Sequence, residues 1–302
     1  MRLVKLLIVA ALTLGACSPP AGSARGAPIS FSNLLNRPRP AADHRIAYGP
    51  TPEEFGDLYL PKGGGSHAVV VLIHGGCWLA SLPGLELTAY AADDLRRRGF
   101  AVWNIEYRRI GNVGGGYPGT FQDVGLAVDD LRSLAKRYNL DLRRVALVGH
   151  SAGGQLALWA AGRHRLDKTS PLYAPNPLPV AGVVSLAGID DLLTYKRVGP
   201  EACGGPSTID QLVGADRRSA SKLFADTSPA DLLPIGTAQV IFSGQLDQIV
   251  PPIFGKDYAA KATSAHDVVE AVTIPAAGHF ELIDPDSDAW QVIEKAITEM
   301  LK

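Results

Sequence analysis

Ser151 stands in Gly149-His150-Ser151-Ala152-Gly153-Gly154, at the end of the apolar run from Arg144 to Val148. A chain that leaves a strand and turns at once into a helix holds its corner residue in a strained conformation, and only small neighbours leave room for that. The residues before the serine read as a strand, and Gln155 to Ala161 after it read as a helix. Such a corner presents a hydroxyl for nucleophilic attack. A serine alcohol is a weak nucleophile, so it needs a base within hydrogen-bond reach and an acid that fixes the tautomer of that base.

The chain has seven histidines. His44 and His67 lie at or near the starts of strands, His164 ends a helix, His266 precedes a strand, and His150 is expected to point away from the serine. His279 differs, because it follows the last expected strand, Val268 to Ile274. Open parallel sheets carry their sites at the carboxyl ends of the strands, which makes His279 the candidate base. The acid should follow a strand too, and Asp247 follows Ala238 to Phe242. An aspartate in a Gly-containing loop also commonly bonds its own backbone. Asp190 or Asp191, after Ala181 to Leu186, is the alternative acid, but Asp247 gives the order Ser, Asp, His that a serine on such an elbow uses.

Acyl transfer further needs donors aimed at the developing oxyanion. Val69 to Ile73 runs into His74-Gly75-Gly76-Cys77-Trp78, where absent side chains let backbone N–H groups approach a substrate. The N–H of Gly76 or Cys77, together with that of Ala152, is the expected oxyanion hole. His74 should brace the loop, and Trp78 should be a pocket wall or a core residue. No paired Cys or His spacing matches a metal-ligand set, so neither metal nor other cofactor is expected.

These residues require a scaffold of alternating strands and helices, the pattern of a mostly parallel sheet. Strands are expected near His44 to Tyr48, Phe55 to Leu60, Ala68 to Ile73, Ala101 to Glu106, Arg144 to Val148, Ala181 to Leu186, Ala238 to Phe242 and Val268 to Ile274. Helices are expected at Leu85 to Arg98, at Phe121 to Tyr138, after the serine, and from Asp284-Pro285 to about Leu301, where a cap residue precedes proline. Between Leu186 and Ala238 lies more chain than a simple crossover needs, with short helices expected at Ser207 to Val213 and Ser219 to Phe224. An insertion of this kind forms part of a lid or pocket wall, or is an ordinary crossover with long loops.

At the N-terminus, Arg2 and Lys5 precede an apolar run from Leu6 to Leu14, too short to cross a bilayer, which reads as a secretory signal over residues 1–16. Leu14-Gly15-Ala16-Cys17 resembles a bacterial lipoprotein signal, with Cys17 as the lipidated residue, and Ser18 after it favours the outer membrane. Residues 17–42 are then a lipidated tether, flexible to about Pro40, and 43–302 a catalytic domain. Export to the periplasm with membrane attachment by lipid anchor alone is the expectation. Removing residues 1–16 takes the formal charge from −1 to −3, and no basic run suggests a nucleic-acid partner. Cys77 and Cys203 either pair in an oxidising compartment or remain separate buried thiols.

From about residue 43 to 302 the chain resembles the α/β-hydrolase superfamily. His74-Gly75-Gly76-Cys77-Trp78, Glu106-Tyr107-Arg108, Gly149 to Gly154 and Gly278-His279-Phe280-Glu281 are similar to its esterase/lipase branch, which includes carboxylesterases, feruloyl-esterase-like and kynurenine-formamidase-like enzymes. Cys77 replaces the third glycine of hormone-sensitive-lipase-like members, which places the resemblance on the formamidase and feruloyl-esterase side. The resemblance implies an eight-stranded, mostly parallel sheet flanked by helices, without a long helical cap ahead of the first strand. It implies a small-molecule ester substrate, with an amide or short peptide as the alternative. A non-catalytic envelope lipoprotein is the third reading.

Overall fold

The computed structural model describes residues 27–302. Residues 1–16 and Cys17, with the signal and lipidation expectations, lie outside the described residues. Eight strands form one sheet: β1 (His44–Ala47), β2 (Phe55–Tyr59), β3 (His67–Ile73), β4 (Ala101–Ile105), β5 (Leu140–His150), β6 (Gly182–Leu186), β7 (Ala238–Gly244) and β8 (Val269–Ile274). Their spatial order is β1-β2-β4-β3-β5-β6-β7-β8. β1 and β2 pair antiparallel, β2 runs antiparallel to β4, and every other pairing is parallel. The sheet expected from the sequence is therefore present. Nearly all of β3, β4 and β6 is buried, as continuous apolar runs in a sheet covered on both faces should be.

Nine helices accompany the strands among the described residues: α1 (Phe31–Leu35), α2 (Ala89–Arg97), α3 (Gly119–Asp129), α4 (Leu131–Tyr138), α5 (Ala152–Gly162), α6 (Leu192–Val198), α7 (Gly205–Val213), α8 (Pro252–Ser264) and α9 (Asp288–Met300). Helix α5 is wholly buried behind the sheet's centre. The expected helix from Leu85 divides into a 3₁₀ turn, Leu85–Thr88, followed by α2. The expected helix from Phe121 to Tyr138 breaks at Asp130, where the Asp129 carboxylate is drawn aside to Arg163 at 2.9 Å and to the Leu178 N–H at 2.7 Å.

The last helix does not begin at Asp284-Pro285. The Asp284 carboxylate is taken by Arg37 in two hydrogen bonds of 2.6 and 2.8 Å, and Ser287 caps α9 instead, accepting from the Trp290 N–H at 3.1 Å. In the insertion, α7 matches the expected helix near Ser207, the one near Ser219 is only a 3₁₀ turn, and α6 was not anticipated. Asp191 caps α6 by accepting from the Thr194 N–H at 3.0 Å.

The larger correction concerns residues 27–42, expected as part of a tether. Within them α1 lies packed on the domain, with Leu34 wholly buried. Burying one leucine contributes about 1.5–3 kcal/mol, and the Arg37 clasp on Asp284 adds an ionic tie. A Pro- and Arg-rich composition suggested free chain, but a single apolar face and one bidentate arginine suffice to dock it.

Cys77 and Cys203 form a disulfide, with S–S 2.07 Å and Cα atoms 5.2 Å apart. It fastens the loop after β3 to the insertion across a sequence separation of 126 residues. Closing a loop that long restricts the unfolded chain strongly. Cys203→Ser should lower stability by about 2–5 kcal/mol in urea denaturation. Thiol labelling of the unfolded, unreduced wild type should modify neither Cys77 nor Cys203; labelling at both would refute the pairing.

Candidate active site

Each candidate residue sits where a strand ends. β5 ends at His150, and Ser151 caps α5 with φ 56° and ψ −121°, a strained geometry for a residue with a side chain. Its N–H donates to the Leu186 carbonyl at the end of β6, 2.8 Å away. A Cβ on Gly149 would stand 1.9 Å from the Gly153 carbonyl oxygen, and one on Gly153 would stand 2.0 Å from the Ile73 carbonyl oxygen at the end of β3. Close backbone approach, more than turn flexibility, therefore demands both glycines. Ala152 opens α5, so its N–H is among those a helix start leaves free, at the positive end of the helix dipole.

Residues Gly76, Cys77 and Trp78 all have left-handed backbones, with φ of 95°, 51° and 57°. For the two non-glycine residues this is costly, and the surroundings hold it. Trp78 is fully buried and donates from Nε1 to Gln155 Oε1 on α5 at 3.1 Å, while Cys77 is held by its disulfide. His74 braces the loop from below. Its Nδ1 lies 2.7 Å from the Gly75 carbonyl oxygen and its Nε2 lies 2.8 Å from Glu106 Oε1, with the ring stacked on Tyr107 at 4.4 Å. Burial alone would push the Glu106 carboxyl up; the His74 charge and hydrogen bond, with Arg109 and the Tyr107 N–H, outweigh it and hold the group down to about 2. The Tyr107 hydroxyl completes the brace by donating to the His74 carbonyl at 2.9 Å.

Asp247 and His279 are joined by a hydrogen bond of 2.6 Å between Oδ2 and Nδ1, both side chains being buried. The other oxygen of Asp247, Oδ1, accepts from the Ile249 and Val250 N–H groups at 2.8 and 2.9 Å. One carboxylate thus orders its own loop and orients the imidazole. Asp190 and Asp191 are engaged elsewhere. Burial pushes Asp190 up to about 7, with the Ser185 hydroxyl 2.9 and 3.1 Å from its two oxygens, and Asp191 caps α6 and pairs with Lys261.

Ser151, Gly76, Cys77 and His279 line one cavity of ≈ 140 Å³. Ser151 and His279 are not hydrogen-bonded to each other here; in hydrolytic sites that bond often closes only when substrate binds. The rest of the wall is apolar: Phe31, Leu82, Pro83, Leu87, Ala202, Ile249 and Phe280, with His150 beside the serine. A wider cleft of ≈ 640 Å³ between Tyr117 and Asp226 shares none of these residues. Two of its charges are paired with each other, since Arg218 bonds Asp226 and lies over the Tyr117 ring at 3.7 Å.

His150 departs from expectation. Its ring packs against that of His279, centroids 4.5 Å apart, and its Nε2–H donates to the His279 carbonyl at 3.1 Å. Burial, then the neighbouring His279, push this imidazole well below its ordinary range, so it is neutral. Its Nδ1 is buried without a partner. Position next to the serine was the only sequence signal for this role; Phe31, Ala202 and Ile249 carried none, because they reach the cavity from distant parts of the chain.

The family model BD-FAE matches residues 56–261. Among curated proteins, the acylamino-acid-releasing enzyme of Mus musculus is 29% identical over 206 residues, 65% of this chain and 27% of that protein, and its Rattus norvegicus counterpart is 27% identical over the same shares. The chain thus spans about a quarter of the length of these curated relatives. Among solved structures, esterase B from Lactobacillus Rhamnosis superposes with TM-score 0.76 at 17% identity, covering 89% of each chain. A truncated carbohydrate esterase from gut microbiota gives 0.71 at 21% identity, covering 87% of this chain and 96% of that one. At such identities the likeness is one of fold. The family match, in contrast, runs along most of the chain from β2 into α8 and takes in Gly76, Ser151 and Asp247; the chain belongs to the BD-FAE family of α/β-hydrolase esterases.

Proposed function

We propose that the protein is a serine hydrolase that cleaves carboxylic esters through an acyl-enzyme. The observation that carries this is the 2.6 Å hydrogen bond from His279 to Asp247 beside the cavity that Ser151 and His279 share. Ser151 Oγ attacks the ester carbonyl carbon while its proton passes to His279 Nε2. The N–H groups of Gly76 or Cys77 and of Ala152 stabilise the oxyanion, each such donor typically contributing about 10²–10³ in rate. Collapse expels the alcohol, which takes the proton from His279. Water then attacks the acyl carbon by the same route and releases the acid. Asp247 keeps the Nδ1–H tautomer, leaving Nε2 free to accept. An amide or peptide substrate on the same residues is the second reading, supported by the similarity to the acylamino-acid-releasing enzymes.

Hydrolysis of a panel of p-nitrophenyl esters, aryl formamides and aminoacyl anilides should favour the esters and vanish in Ser151→Ala. Asp247→Asn should lower kcat by roughly 10³–10⁴ with folding intact. No ester turnover in the wild type would sink the ester reading, and full activity in Asp247→Asn would refute Asp247 as the acid.

The His74–Glu106 pair predicts a pH signature. The Glu106 carboxyl is depressed in the folded chain, so its contribution is complete above its ordinary range near 4.5 and is lost as pH falls toward about 2. A depression of that size is worth on the order of 3 kcal/mol. Glu106→Gln should therefore destabilise most at neutral pH, with the gap to wild type narrowing in urea unfolding near pH 3. A gap independent of pH would refute the ion pair.

We also propose export with lipidation at Cys17. The Cys77–Cys203 disulfide supports an oxidising compartment, since cytosolic proteins rarely keep one. Labelled palmitate should be incorporated into the wild type and not into Cys17→Ser; incorporation in both would exclude that residue as the anchor.

A further inference from the structure

The segment ahead of β1 reaches the candidate active site, where its Phe31 lines the cavity. At its start, the Ile29 N–H donates to Glu281 Oε1 at 2.7 Å, while Glu281 Oε2 accepts from the Gly278 N–H at 2.9 Å. One carboxylate therefore ties this segment to the loop that carries His279. At its end, Arg37 clasps Asp284, and the Arg37 carbonyl accepts from the Tyr90 hydroxyl at 3.0 Å. Leu34, wholly buried, anchors the middle.

Between these ties Phe31 forms part of the cavity wall. Its ring meets Phe280 edge-on, with centroids 6.0 Å apart, and the residue is 38% exposed, so it divides cavity from solvent. The other walls are fixed differently. Leu82, Pro83 and Leu87 follow the loop after β3, Ala202 adjoins the disulfide, and Ile249 belongs to the loop that Asp247 orders. Phe31 alone stands on a five-residue helix held by side chains from elsewhere.

We propose that Ile29–Arg37 is a strap that closes the outer end of the substrate cavity, with Phe31 as the residue that limits the length of the apolar group seated there. This rests on the serine-hydrolase reading above and narrows it to esters whose seated group is short. The cavity of ≈ 140 Å³ is well below the roughly 300 Å³ at which pockets for drug-sized ligands begin. The seated group is the acyl chain or the alcohol, and the substrate series separates the two.

The test compares wild type, Phe31→Ala and Arg37→Ala in the full chain. One series is p-nitrophenyl esters from acetate to decanoate; the other is acetate esters of alcohols of increasing length, followed by proton release. The wild type should prefer short chains in one series. Phe31→Ala should raise the ratio of kcat/KM for octanoate over butyrate, or octyl over butyl acetate, by roughly fourfold for each methylene newly seated. Arg37→Ala should shift the same ratio in the same direction with Phe31 intact. Unchanged ratios in both series would overturn the proposal. Alkyl fluorophosphonates of two chain lengths, with Ser151 labelling read by mass spectrometry, judge the strap without ester turnover. Length-dependent labelling that Phe31→Ala relaxes supports the strap even if no ester is cleaved; labelling blind to length overturns it while leaving the nucleophile in place.

Discussion

Three strand ends converge at the corner occupied by Ser151, closer than side chains would allow, and the rest of the site follows from that crowding. The Gly153 carbonyl lies over Gly149, and the Ile73 carbonyl lies over Gly153, while Leu186 receives the serine's own N–H. These contacts hold a backbone of φ 56° that no free serine would keep. They also set the first turn of α5 beside the end of β3, from which the loop carrying Gly76 and Cys77 leads to the same cavity as Ser151. The geometry of the candidate site is a by-product of strand packing.

The loops at this edge are strained, and separate ties restrain them. The His74–Glu106 hydrogen bond sits beneath the loop after β3, and the disulfide and the Trp78–Gln155 hydrogen bond hold its far side. Asp247 orders the acid loop through two backbone N–H groups before it touches His279. Glu281 links the histidine loop to the N-terminal strap. Preorganisation of this kind suits acyl transfer, because donors that are already aimed need not reorganise as charge develops.

Much of the site was legible because its chemistry demands particular residue types at strand ends. Ser151 announced itself through two glycines with a steric reason to be there, and His279 and Asp247 through following the last two strands. Asp247 bonds its own loop through Oδ1 and the His279 ring through Oδ2, so the turn contact does not compete with the contact to histidine. Phe31 was illegible because its composition-poor neighbourhood looks like linker. The contact of His150 with His279 is illegible because the sequence shows which residue precedes the serine but not which ring its imidazole meets.

The sequence by itself determined the order of the eight strands, the elbow and the candidate hydrolytic residues, since hydrophobic periodicity and glycine placement are local properties. Only the tertiary structure decided the rest. The Cys77–Cys203 pairing, the capture of Asp284 by Arg37 that delays α9, and the docking of α1 that brings Phe31 to the cavity all join positions far apart in the chain. Their energies come from burial and from ions that meet in space, and neither can be read from neighbours in sequence.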